Sequence, residues 1–229
     1  MSRKNISTAG PISLRVWGPL ACFTRPEWKT ERVSYDVMTP SAARNILRAI
    51  LRKPEFEWHI REIQVLRAIQ FTQLMRNELG KKASVGAGPL YIEDQRTQRH
   101  ARVLVDVAYR IIADVWLYDS ARQEGETPQE YRAQFRRRAA RGQYHHAPYF
   151  GCREFPLFFE EEEPAGGEPP IALSKPLGRM LFDFSNFQPD GRATPVFFEA
   201  SLEAGVLRVP QHLYETMKWR RSNVAPASS

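Results

Sequence analysis

His145 and His146 stand side by side between Arg141 and Arg153. Histidine donates and accepts protons near neutral pH, so the pair offers an acid or a base to a reaction on an anionic substrate such as RNA. Two surface histidines beside a basic patch is the plainer reading, and both stay open at this point. As zinc ligands the two are poorly arranged: neighbours in extended chain point apart, and no Cys-X-X-Cys or His-X-X-X-His spacing accompanies them. Arg136, Arg137, Arg138 and Arg141 precede them. Guanidinium groups suit phosphate contacts, although positive side chains at a helix end also complement the helix dipole. Three consecutive arginines cannot share one face, so some are expected to reach an anion while others stay solvated or pair with the acidic run Glu160 to Glu163. Arg44, Arg48 and Arg52 recur every four residues, which predicts a positive stripe on the exposed side of a helix. Tyr35, Trp17 and Phe23 offer ring faces for base stacking; Trp17 is expected in the core and Tyr35 is left open. Gly86-Ala87-Gly88 lacks the lysine and hydroxyl residue of a phosphate-binding loop.

These side chains belong to a chain of 229 residues with a formal charge of +7 and a pI near 9.6. Such a field attracts polyanions, nucleic acid first among them. The hydrophobic fraction of 42% and charged fraction of 26% exclude collagen-like and disordered classes. The two cysteines, Cys22 and Cys152, read as reduced residues rather than a bridge or a metal site. No apolar stretch approaches the roughly 20 residues of a membrane span, and the polar start from Met1 to Gly10 lacks the apolar run of a signal peptide. The expected location is the cytoplasm, with no membrane partner.

The elements that must position the chemistry follow from periodicity. Ser13 to Trp17 alternates apolar and polar residues and predicts a strand ending at Gly18. Thr39 and Pro40 suit the cap and first position of a helix whose apolar face is Ala43, Ile46, Leu47, Ile50 and Leu51, and Pro54 ends it. Phe56 to Phe71 reads as a strand with a register slip around Ile63. The stretch from Thr72 to His100, with Lys81, Lys82 and several glycines, predicts a projecting hairpin or mobile loop. Val103 to Leu117 reads as another strand. Thr127-Pro128-Gln129-Glu130 is a capping box that opens a helix running to about Arg141, with Gly142 stopping it. Arg179 to Phe184, Thr194 to Ala200 and Val206 to Val209 are short strands of a smaller antiparallel sheet.

The chain is therefore expected to be α+β. A flexible start (1–10) would precede a ferredoxin-like, RNA-recognition-motif-like domain (11–145) with its projection near 72–100. A small antiparallel β-sheet domain (146–221) and a disordered tail (222–229) would follow.

Three blocks carry a resemblance: Leu14 to Gly18 with Ala21 to Glu27, then Glu31 to Leu47, then Phe135-Arg136-Arg137-Arg138 through Gly151-Cys152-Arg153-Glu154-Phe155. They resemble the Cas-five family of CRISPR-associated proteins, in its type I-C branch. That resemblance implies a subunit that binds the repeat stem-loop and 5′ handle of CRISPR RNA, beside the backbone and large subunits of a type I-C surveillance complex, and meets target DNA indirectly. It also implies an endoribonuclease that cuts precursor CRISPR RNA with no metal or cofactor, by attack of a ribose 2′-hydroxyl on the adjacent phosphate. The places of the family's proton-transfer residues hold Leu51, before Arg52-Lys53-Pro54, and Glu130-Tyr131. Leu51 cannot transfer a proton. Tyr131 could do so if a nearby arginine lowered its pKa. The expected catalytic residues are accordingly Tyr131, His146 and Lys53. The expected RNA contacts are Arg25, Arg32, Tyr35, Arg44, Arg48, Arg136, Arg137, Arg138, Arg141 and Arg153. The alternative is a catalytically inactive subunit that caps the handle.

Overall fold

The computed structural model describes residues 10–28, 31–79, 96–162, 167–186 and 192–217, with 77–79 and 96–97 as backbone only. Residues 1–9 of the expected flexible start (1–10), the Gly86-Ala87-Gly88 segment and the expected tail (222–229) lie outside these ranges.

Apolar alternation produces a nine-stranded sheet that organises the chain. Its first strand, β1 (Ile12–Ala21), is longer than the five alternating residues suggest. It buries Ile12, Leu14 and Val16 and pairs antiparallel with β5 (Arg96–Leu117). At 22 residues, β5 serves several partners. Its C-terminal half pairs with β3 (Phe56–Val65) and its N-terminal half with β4 (Phe71–Leu79), both antiparallel. The Thr72 to His100 stretch is thus a strand pair over its described ends. Between the two halves Asp106 takes a left-handed backbone at φ 47°, a conformation suited to an irregularity where a strand changes partners. The slip expected around Ile63 is a bulge between Ile60 and Glu62. The short β2 (Arg32–Val33) runs parallel to β5.

Helix α1 (Pro40–Ile50) starts where expected: the Thr39 side chain accepts a hydrogen bond from the Ala42 amide at 3.2 Å, and Pro40 takes the first turn. Its apolar face is buried over the sheet. The short α2 (Asp119–Gln123) follows β5. Helix α3 (Pro128–Ala140) opens on the capping box, with the Glu130 carboxylate accepting from the Thr127 amide at 3.3 Å. Trp58 joins the layers. Its ring meets Phe135 of α3 at 4.9 Å and its indole donates to the Leu51 carbonyl at 3.1 Å.

Strand β6 (Phe158–Glu161) pairs with β1; β7 (Lys175–Ser185), β8 (Thr194–Glu203) and β9 (Val206–Arg208) form an antiparallel run. Helix α4 (Leu213–Thr216) closes the described chain. Strand β9 pairs with β3, so hydrogen bonds continue across the boundary expected at 145/146, in the order β6-β1-β5-β3-β9-β8-β7. Among the described residues, no helix is long and apolar enough to cross a membrane. Both cysteines are free thiols.

Candidate RNA-processing site

Two helix ends and one turn build the site. Gly142 takes the left-handed conformation at φ 62° that ends α3. Its amide donates to the Ala139 carbonyl at 3.0 Å, and the Gln143 amide to Arg138 at 2.9 Å. This cap turns the chain back toward the end of α1, whose last carbonyls have no partner inside their own helix. The His145 amide donates to the Ala49 carbonyl at 2.7 Å, and the Arg138 guanidinium donates through Nε to the Ile50 carbonyl, also at 2.7 Å. Two residues of the arginine-histidine block therefore cap α1.

The consequence is a concentration of cations around one histidine. Burial lowers the His145 pKa first, and the charges of Arg138, His146, Arg52 and Lys53 lower it further. Residues Arg141 to Ala147 are exposed, as are Arg52 and Lys53, so the group faces solvent. Tyr144, 49% exposed beside the histidines, presents an aromatic face that the sequence reading passed over; its position after the Gly142 stop was the available signal. Arg48 is half-buried next to Arg52 and lies 3.8 Å from the Glu57 carboxylate.

Other expected site residues lie elsewhere. Arg44 is corrected most sharply: instead of lying on an exposed stripe it is 4% exposed, held between Asp183 of β7 and Glu57 of β3. Burial works against its charge, and the two carboxylates outweigh it and raise its pKa. Tyr35 is fully buried, its hydroxyl accepting from the Leu181 amide at 3.2 Å and its ring covered by the Arg25 guanidinium at 4.4 Å, so it is closed to base stacking. Phe23 is likewise core, whereas Trp17, expected there, is half-buried and stacks on the exposed Phe158.

Tyr131 is 7% exposed, packs on Phe56 and donates its hydroxyl to the Glu126 carboxylate. Burial, then the Glu126 contact, pushes its pKa up, the reverse of the lowering that proton transfer required. Arg132, the next residue, donates instead to the Gly10 carbonyl at 2.8 Å.

Of the arginine run, Arg136 pairs with Glu161, as expected for one member, while Arg137 and Arg141 are exposed. Arg25, Arg32 and Arg153 belong to a different region, where Arg32 meets Glu154 at 3.4 Å and the Cys152 sulfur at 3.5 Å, and Arg153 is exposed. The sheet face carrying Arg15 and Arg110 is neutralised internally, each pairing with a glutamate of the 160–162 segment at 2.8 Å.

The family described as CRISPR-associated protein (Cas_Cas5) matches residues 12–210. A Thermus thermophilus protein named CRISPR pre-crRNA endoribonuclease Cas5d is 44% identical over 222 residues, covering 90% of this chain and 94% of the relative. A Mannheimia succiniciproducens protein of the same name is 44% identical over 227 residues, covering 92% and 99%. Among solved structures, a functionally uncharacterised Streptococcus mutans protein and a CRISPR-associated protein each superimpose with a TM-score of 0.64, at 23% and 22% identity, covering 88% of this chain and 93% of theirs, which marks a shared fold. The match spans the sheet, both long helices and the turn that carries the histidines, and the chain belongs to the CRISPR-associated Cas_Cas5 family.

Proposed function

We propose that this protein binds the repeat stem-loop and 5′ handle of CRISPR RNA and cuts the precursor transcript at the His145–His146 turn, within a type I-C surveillance complex containing backbone and large subunits. The observation that carries this reading is the convergence of Arg52, Lys53, Arg138 and His146 on His145, whose lowered pKa keeps it neutral in an electropositive, exposed setting. The family and the two relatives named as pre-crRNA endoribonucleases support the same substrate.

In this mechanism His145 takes the proton from the ribose 2′-hydroxyl, whose oxygen attacks the adjacent phosphorus. His146 supplies a proton to the leaving 5′ oxygen, giving a 2′,3′-cyclic phosphate and a 5′-hydroxyl end. Lys53 and Arg52 offset the charge developing on the phosphoryl oxygens. Tyr144 stacks on a flanking base. Arg48, Arg137 and Arg141 extend the phosphate track, and Arg25, Arg32 and Arg153 supply contacts in the second region.

A ferredoxin-like reading, carried past the expected boundary at 145 to include β6, rests on topology. Strand β1, α1, β3, β5, α3 and β6 succeed one another as β-α-β-β-α-β, and the four strands lie antiparallel as β6-β1-β5-β3.

The test is incubation of purified protein with its own labelled repeat RNA in EDTA, beside a copy lacking the 2′-hydroxyl at the cut site. A single cut that vanishes in the deoxy copy is the expected result. Tight binding with no cut in either RNA would overturn the cleavage assignment and leave a handle-capping subunit.

A further inference from the structure

The two cysteines take no part in the proposed cleavage, yet the fold brings them together from opposite ends of the family-like blocks. Cys22 directly follows β1 and is buried; Cys152 sits in the turn after Phe150 and is half-exposed. Three contacts hold the turn on Cys22. The Cys22 amide donates to the Phe150 carbonyl at 3.1 Å, and the Cys152 sulfur lies 3.8 Å from the Cys22 carbonyl oxygen. Between them Gly151, at φ 78°, approaches so closely that a Cβ would lie 2.0 Å from the Cys22 carbonyl oxygen. The two thiols influence each other's ionisation, Cys152 raising the pKa of Cys22 and Cys22 lowering that of Cys152. On its open side Cys152 meets Arg32 Nη1 at 3.5 Å.

From this geometry we propose that Cys22 and Cys152 form a peroxide-sensitive modification site that closes into a reversible disulfide. Cys152 is the attacking group. The neighbouring Cys22 thiol, aided by Arg32, lowers its pKa, which raises its thiolate fraction at neutral pH. Its sulfur attacks one oxygen of hydrogen peroxide, the O–O bond breaks, and the products are a Cys152 sulfenic acid and hydroxide. Cys22 then attacks that sulfur. The S–O bond breaks as the S–S bond forms, and the Cys22 proton leaves with the hydroxyl as water. Two thiols are oxidised and one peroxide is reduced to two waters. The neighbouring Cys152 thiol, and then burial, raise the Cys22 pKa, which assigns Cys22 the resolving role rather than the first attack. Closure also removes the thiolate from Arg32, which retains Glu154 at 3.4 Å, and staples the turn carrying Arg153 to the end of β1.

The test uses the reduced full-length protein freed of reductant and treated with hydrogen peroxide, with thiol counting and non-reducing peptide mass spectrometry. Both thiols should disappear together, a Cys22–Cys152 cross-linked peptide should form, and dithiothreitol should restore both thiols. Cys22→Ser should instead accumulate a sulfenic acid at Cys152 that dimedone traps, and Arg32→Met should slow the first step several-fold at neutral pH. Because Cys22→Ser keeps the small polar side chain, it reads the first step even if bulkier variants misfold. Oxidation of Cys152 to sulfinic acid in the wild type without a cross-linked peptide would overturn the proposal. So would dimedone capture at Cys22 in place of Cys152.

Discussion

Arg44 on α1 donates two hydrogen bonds to Asp183 on β7, at 2.6 and 2.9 Å, across 139 residues of sequence. Ser41 adds a third at 3.1 Å and the Phe184 amide a fourth at 2.8 Å, so both carboxylate oxygens are used. This cluster ties the helix that ends at the candidate site to the C-terminal strands. Removing one member of a buried ion pair leaves its partner's charge stranded. Asp183→Ala is therefore expected to destabilise the protein by about 3–5 kcal/mol, read from denaturant unfolding. Arg44→Met combined with Asp183→Leu and Glu57→Gln, which leaves neither carboxylate of the Arg44 pair stranded, should recover most of that loss. Equal stability of Asp183→Ala and wild type would contradict the arrangement.

His145→Ala and His146→Ala should each lower the single-turnover cleavage rate by roughly 10²–10⁴-fold, the usual worth of a positioned acid or base. RNA affinity, measured by filter binding, should stay within a few-fold. Unchanged cleavage in both variants would take the histidines out of the mechanism.

The pH profile carries a sign. Because burial and neighbouring cations depress His145, its neutral form persists to lower pH than in a free histidine. The acidic limb of the cleavage rate should therefore fall below the ordinary value of about 6.5. Replacing Arg52 or Lys53 with glutamine removes one depressing charge, so the limb should move upward in pH. A limb that moves downward would mean another group is titrating.

Tyr131→Phe should leave cleavage intact and cost about 1 kcal/mol of stability through loss of the hydrogen bond to Glu126. A tenfold fall in cleavage with the fold preserved would return the hydroxyl to the chemistry.

Gly151→Ala should lose at least about 1 kcal/mol, since both the left-handed backbone and the approach to the Cys22 carbonyl oppose a side chain. A melting temperature equal to that of wild type would show that the turn can move away from β1.

Much of this fold was legible because the signals are local. The apolar spacing of α1, the Thr39 cap with Pro40, the Thr127–Glu130 capping box and the Gly142 stop act within a turn or two of helix, and each element begins or ends at those residues. The bulge near Ile63 was visible as a break in alternation within one strand. Local patterning did not reveal that β9 returns to pair with β3, because three residues of strand carry no mark of their partner.

The candidate site divides in the same way. Sequence by itself determined the family-like blocks, the positive charge, and the supply of paired histidines and clustered arginines next to a helix stop. Only the tertiary structure decided which of those cations remain available. Arg44 and Arg48 are one helical turn apart, yet the first is sealed by a carboxylate from β7 while the second lies beside the exposed Arg52. Arg138 reaches the Ile50 carbonyl across 88 residues, and that bond, with the His145 amide on Ala49, sets the histidine turn against Arg52 and Lys53. Charge and spacing are properties of the chain, whereas burial and pairing depend on what distant segments pack nearby; the same arginine spacing thus yields both a structural ion pair and an exposed cation.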